Sequence, residues 1–229
     1  MSALFDWLFG QYATYSTGFI VLELIAVVFG IASVLLARKT NILVYPVGLI
    51  STGIFVYLLW NWQLFGDMLI NAYYSAMSLY GWYNWSKSRS SDQSDAVEIE
   101  RIESRDIPIM LTLAGISAAF VGIVYYLRPV INNGFSFSGA ELGLHLFTWV
   151  DYTDMFTTAL FLIAMYLMAS RKIENWLVWI VADAISVPLY FYKGYTFTSL
   201  QYVVFTLIAI GAYYEWKRRL RLQSQSATA

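Results

Sequence analysis

The chain has 229 residues, of which 59% are hydrophobic and only 13% charged. A water-soluble domain of this size could not bury so much apolar surface and still cover itself with polar groups, so the mean hydropathy of +0.57 points to lipid as the solvent. The absence of cysteine excludes disulfides and thiolate chemistry, one histidine (His145) cannot build a multi-histidine metal site, and a net charge of −1 argues against a nucleic-acid partner.

Met1–Thr17 carries Leu4, Phe5, Trp7, Leu8, Phe9 and Tyr12 beside Asp6 and Gln11. It reads as an N-terminal interfacial segment over 1–17, with a frayed apolar tail as the alternative. Lacking Lys, Arg and a small-residue cleavage site, it is not expected to be a cleavable signal peptide. Seven apolar runs follow, at 18–37, 42–60, 67–85, 107–127, 153–170, 176–192 and 194–214. Helices are the expected form, because lipid offers open backbone no hydrogen-bond partner. The expected fold class is an all-α integral membrane protein with seven transmembrane helices. A first three-helix bundle spans 18–86. Residues 87–152 hold a cytoplasmic loop, a linker helix near 107–127 and an outer loop. A second bundle spans 153–216, and 217–229 form a mobile cytoplasmic tail.

Positive charge sets the orientation. With seven crossings, twelve of the 14 basic residues fall on one side, and only Arg128 and Lys193 on the other. That places the C-terminus in the cytoplasm and the N-terminus outside.

The two ends of the chain resemble each other. Asn41 to Tyr45 (NILVY) matches Asn175 to Trp179 (NWLVW) at an offset of 134, and Gly81, Trp82, Tyr83 match Gly211, Ala212, Tyr213 at 130, which also pairs Asn71 with Gln201. A three-helix unit ends on the opposite face from its start. Repeating it in the same orientation needs one more crossing, which helix 107–127 supplies. The result is two parallel three-helix bundles joined by a linker (3+1+3), with a site expected between them near midplane. Pro46 and Pro188 are expected to interrupt corresponding helices.

Polar residues within the spans mark the candidate site. Trp176, Trp179, Asp183, Ser186 and Tyr190 follow spacings of 3, 4, 3 and 4, which puts them on one helical stripe. A carboxylate in a membrane helix costs about 2.5–3.5 kcal/mol on insertion scales, so it should face a cavity, a partner or substrate. Indoles stack on flat rings and attract cations. The third span shows a comparable face of Asp67, Asn71, Tyr74, Ser78, Trp82 and Trp85, and Gln201, Tyr202 and Phe205 lie in the seventh. The structural alternatives are interfacial anchoring for the indoles and inter-helix hydrogen bonding for the amides. Glu23, near a helix end, reads as structural.

The stretch from Glu174 through Trp176, Trp179 and Asp183 to Ser186, Tyr190, Lys193 and Gln201 resembles the PnuC family of bacterial nicotinamide riboside transporters. So does the first-half stretch with Asp67, Asn71 and Gly81 to Trp85. The resemblance covers about residues 20–216. It implies a SWEET-like fold and facilitated diffusion of nicotinamide riboside through the inner membrane, driven by phosphorylation inside the cell. It also implies substrate contacts from Trp176, Trp179, Asp183, Asn71, Tyr74 and Gln201, and a homo-oligomer, with a trimer among its forms. Thiamin, riboflavin or a small sugar are the alternative substrates. No cofactor is expected, since no Gly-rich nucleotide loop is present, and no enzymatic nucleophile–base pair or metal motif stands out in the helices.

Overall fold

The structure, a computed structural model, describes residues 16–62, 65–90, 97–193 and 196–226. Its helices are α1 (Thr17–Arg38), α2 (Val44–Asn61), α3 (Phe65–Ser90), α4 (Asp106–Tyr126), α5 (Arg128–Asn132), α6 (Trp149–Ala169), α7 (Asn175–Tyr192) and α8 (Thr196–Ser226), with a 3₁₀ turn at Leu144–Leu146. The protein is all-helical among the described residues, apart from an isolated bridge between Glu100 and Lys172. Among the described residues, five helices (α1, α2, α4, α6, α7) are long and apolar enough to cross a membrane. Each expected span falls on a helix, and Ser16 caps the first by accepting from the Phe19 N–H. The rest of the expected interfacial segment lies outside the described residues.

The expected mobile tail is corrected in part. α8 runs without a break to Ser226. Beyond the apolar stretch Glu215 pairs with Arg218 and Arg219, at 3.1 Å in each case, the i,i+3 and i,i+4 spacings that support an exposed helix.

Consecutive helices pack together within α1–α2–α3 and within α6–α7–α8. Contacts of α3 with α6 and of α1 with α8 close these six into a ring, and α4 lies against α6 outside it.

The two ends repeat at a single offset of 131. α1 ends at Arg38 and α6 at Ala169, α2 begins at Val44 and α7 at Asn175, and α3 begins at Phe65 and α8 at Thr196. Even the loops agree. Thr40 and Arg171 both adopt left-handed backbone, with φ of 54° and 63°. The next N–H, of Asn41 or Lys172, donates to the carbonyl of Leu36 or Leu167 at 3.0 and 2.8 Å. This is the 6→1 bond that closes a helix end. The offsets of 134 and 130 expected from short motifs are therefore corrected. Asn41 corresponds to Lys172, not Asn175, and Asn71 to Tyr202, not Gln201. Matches among apolar residues carry little register, whereas hydrogen-bonded loops fix it. The prolines are not equivalent either. Pro46 is the third residue of α2, where a missing N–H costs no helical bond, and only Pro188 lies inside its helix.

The most deeply buried aromatics lie at the basic end of the ring. Trp85 and Trp216, again 131 apart, are fully buried. The Trp85 indole donates to the Met168 carbonyl at 3.2 Å, and the Trp216 indole donates to that of Ala37 at 3.0 Å. Ala37 and Met168 are themselves register partners, so each half bonds the other in the same way. Tyr45 meets Trp85 edge-on at 5.1 Å, Trp176 meets Trp216 edge-on at 5.6 Å, and the two central indoles lie 5.9 Å apart.

A strap, residues 97–105, crosses this end. Its Val97 and Ile99 are buried in the aromatic cluster, and Glu100 pairs with Arg171 and Lys172. Burial works against the Lys172 charge. Its bond to Glu100 and the nearby Asp106 outweigh that and hold the ammonium above its ordinary value.

Candidate functional site

The ring encloses a cavity of about 450 Å³, within the range of small-molecule sites. All six ring helices line it and α4 does not. Six of the eight residues expected on the site reach it: Asn71, Tyr74, Trp176, Trp179, Asp183 and Gln201. Asp67, Ser78, Tyr202 and Phe205, marked on the same faces, line it too.

Ser186 and Tyr190 do not line the cavity. The Ser186 hydroxyl is fully buried and donates to the Ala182 carbonyl of its own helix at 2.9 Å. The Tyr190 ring packs on Tyr202 at 5.2 Å and under the Lys193 ammonium at 5.1 Å. Ser186 and Tyr190 both lie beyond Asp183, the last residue of α7 that lines the cavity. Trp82 is exposed, and Trp85 belongs to the buried cluster.

Asp183 is halfway along α7 and 2% exposed. It has no hydrogen-bond or ion-pair partner among the described residues, an expensive state for a carboxylate that nothing else compensates. Rings surround the space beside it. Trp179 lies 6.5 Å from Tyr74 and 5.6 Å from Phe161, and Phe161 stacks on Tyr202 at 5.8 Å with planes 14° apart. Trp176 forms the end wall toward the basic side, and its buried indole N–H lacks an acceptor among the described residues. The Asn71 side chain donates to its own helix, to the Asp67 carbonyl at 2.9 Å.

The wall from α1 and α2 mixes apolar residues, Tyr45 and Phe55 among them, with small and polar ones. Among the latter are Gly30, Ser33, Gly48, Ser51 and Thr52. By the register of 131, Gly30 corresponds to Phe161, Gly48 to Trp179 and Thr52 to Asp183, so the cavity is asymmetric where the helices are not. Phe161 and Tyr45 were missed from sequence. Phe161 sits in a span whose polar residues, Asp154 and Thr157, were not singled out. Tyr45 would have been found as the counterpart of Trp176 had the register been right.

Among the described residues no His, Asp and Glu cluster could hold a metal. The exposed His145 only approaches Glu141, at 3.3 Å.

Ring and cavity together define the class, a multi-pass membrane protein with a chamber lined by aromatic, aliphatic and a few polar residues. A family model described as nicotinamide mononucleotide transporter matches residues 20–218, and the chain belongs to that family. It is 26% identical over 219 residues to the nicotinamide riboside transporter PnuC of Escherichia coli strain K12, covering 90% of this chain and 89% of that one. It is 22% identical over 218 residues to the riboflavin/roseoflavin transporter RibM of Streptomyces davaonensis, covering 95% and 92%. The crystal structure of the vitamin B3 transporter PnuC shares the fold, with a TM-score of 0.62 at 21% identity over 96% of this chain and 90% of that one. The protein is a membrane transporter and not an enzyme, in the family that the tryptophan–aspartate stripe resembles.

Proposed function

We propose that this chain carries nicotinamide riboside into the bacterial cytoplasm by facilitated diffusion, holding it in the six-helix cavity. The observation that carries the reading is Asp183, which faces the chamber without a protein partner and stands beside Trp179 and Tyr74. Nicotinamide riboside brings a pyridinium ring, a carboxamide and a ribose. Rings and carboxylate suit the first, and Asn71 and Gln201 have the donors and acceptors for the others. Trp176, at the end wall, would close over the ligand. In this reading α1–α3 and α6–α8 are the two parallel three-helix bundles and α4 is the linker between them. The basic end faces the cytoplasm. Arg128 pairs with Asp151 and Lys193 with Asp154, so the two basic residues of the other end are locally neutralised. Homo-oligomers, trimers included, belong to the same reading, and the mass of the purified protein in detergent is their check.

A second reading, a riboflavin-type substrate, is favoured by the likeness to RibM over nearly the whole chain. Uptake into proteoliposomes, with nicotinamide riboside, thiamin, riboflavin and hexoses compared, separates the two. The expected result is saturable nicotinamide riboside uptake that equilibrates without an ion gradient. Asp183→Asn and Trp179→Ala should each weaken binding about tenfold or more, from the loss of a charged contact or an aromatic face. Selective uptake of riboflavin or of a hexose would overturn the assignment.

A further inference from the structure

The cavity brings an unpaired carboxylate together with the rings of Phe161 and Trp179 on the α6–α7 side, while α2 adds Tyr45 and Phe55. Phe161, Trp179 and Asp183 come from α6 and α7, and their register partners in α1 and α2 are Gly30, Gly48 and Thr52. The same helix positions are thus built in the first half without an aromatic ring, so the ring at 161 is not a demand of the repeat. Phe161 ties the wall together, stacked on Tyr202 and 5.6 Å from Trp179.

Resting on the nicotinamide reading above, we propose that this wall selects the charge state of the ligand's ring. It admits the oxidised pyridinium nucleoside and discriminates against the uncharged 1,4-dihydropyridine nucleoside of nearly the same shape. Phe161 is a specificity-determining residue of that wall. A buried carboxylate without a partner is compensated by a cation and not by a neutral ring. Aromatic faces attract a cation through their quadrupole, most strongly where water is excluded. The dihydro ring loses both interactions and keeps its amide and ribose contacts. The ligand's orientation follows as well. Its ring lies against α6–α7, and its hydroxyls turn toward the serine-lined α1–α2 wall, where Ser33 and Ser51 stand.

The test is titration of the full-length protein in detergent with the oxidised and dihydro forms of nicotinamide riboside, followed by tryptophan fluorescence or calorimetry. The oxidised form should bind at least about tenfold more tightly. Asp183→Asn should bring the two within about threefold by weakening the oxidised form alone. Phe161→Leu, which keeps an apolar side chain in a membrane helix, should narrow the gap in the same direction by weakening the oxidised form more than the dihydro form. Equal binding of the two forms by the unaltered protein would overturn charge selection and leave the nicotinamide reading standing. Failure of both forms to bind would overturn that reading and this inference with it. Loss of both forms in Phe161→Leu, with the elution profile unchanged, would make Phe161 a general wall residue and remove its role in specificity.

Discussion

The two halves of the ring meet twice, with opposite results. At the basic end they are near copies. Trp85 bonds Met168 as Trp216 bonds Ala37, and Tyr45 packs on Trp85 as Trp176 packs on Trp216. In the cavity the same register puts glycine opposite phenylalanine, glycine opposite tryptophan and threonine opposite aspartate. Symmetry holds where the halves must grip each other, since each supplies the bond the other needs. It is broken in the cavity, where the proposed ligand, itself without two-fold symmetry, would be held. If the tryptophan cluster of the basic end is a seal that serves stability and the cavity serves recognition, as proposed above, mutations in the two places should separate.

The largest expected effect is at the seal. Trp85→Ala and Trp216→Ala should each cost about 3–5 kcal/mol, the range for removing a large buried aromatic. The two costs should agree within about 1 kcal/mol, and the double variant should be non-additive because the rings touch. Denaturation in detergent measures all three. Costs that differ severalfold would break the claim of equivalence. Trp179→Ala, on the cavity wall, should lower binding far more than stability.

This division was half legible in the sequence. The spans, the stripe with Asp183 and the membrane class follow from composition and a 3.6-residue period, which are strong over 20 residues. The repeat was visible, but its register was not. Asn41 and Asn175 match as letters, yet the loop bonds pair Asn41 with Lys172. Trp85 showed up on a polar face, while its counterpart Trp216 lay past the expected last span and so was never compared. Phe161 carried no signal, because one phenylalanine in an apolar run reads as lipid-facing until a fold shows which way it points.

The strap is where the seal's own symmetry fails, and it gives the next effect in size. Besides the bond from the Ile99 N–H to Gln223 of α8, it is tied to the second loop through Lys172 and Glu174, whose counterparts in the first loop are Asn41 and Leu43. Lys172 is 2% exposed and lies 2.8 Å from Glu100 and 3.3 Å from the buried Asp106. Lys172→Asn, which copies the first loop, leaves that acid without its cation and should cost about 3 kcal/mol. Faster amide exchange over 97–105 is the expected signature. The pH dependence has a definite sign. A lysine raised in the folded state contributes fully below its unfolded value of about 10.4 and loses that contribution as pH rises through the folded value. Its share of stability should therefore be flat from pH 6 to 9 and fall only at the alkaline edge. A fall starting near neutrality would mean that Lys172 is not held by these acids.

The smallest effect concerns one atom on each side of the seal. Gly81 lies so close to Tyr45 that a Cβ there would stand 2.3 Å from the ring, whereas its counterpart Ala212 already carries one and is fully buried. The difference has a plain cause in the sequence. Tyr45 is a phenol where the second half has the indole of Trp176, and its ring occupies the space that a methyl at 81 would need. Because Tyr45 is fully buried, it has little room to move aside, and Gly81→Ala should cost about 1–3 kcal/mol from overpacking. Ala212→Gly should cost only ~1 kcal/mol, the intrinsic helix penalty. Combining Gly81→Ala with Tyr45→Leu should recover part of the loss, since the clash is with ring atoms. If it recovers none, Gly81 is needed for close approach of α2 and α3 as a whole, and the two halves of the seal differ in backbone as well as in one side chain.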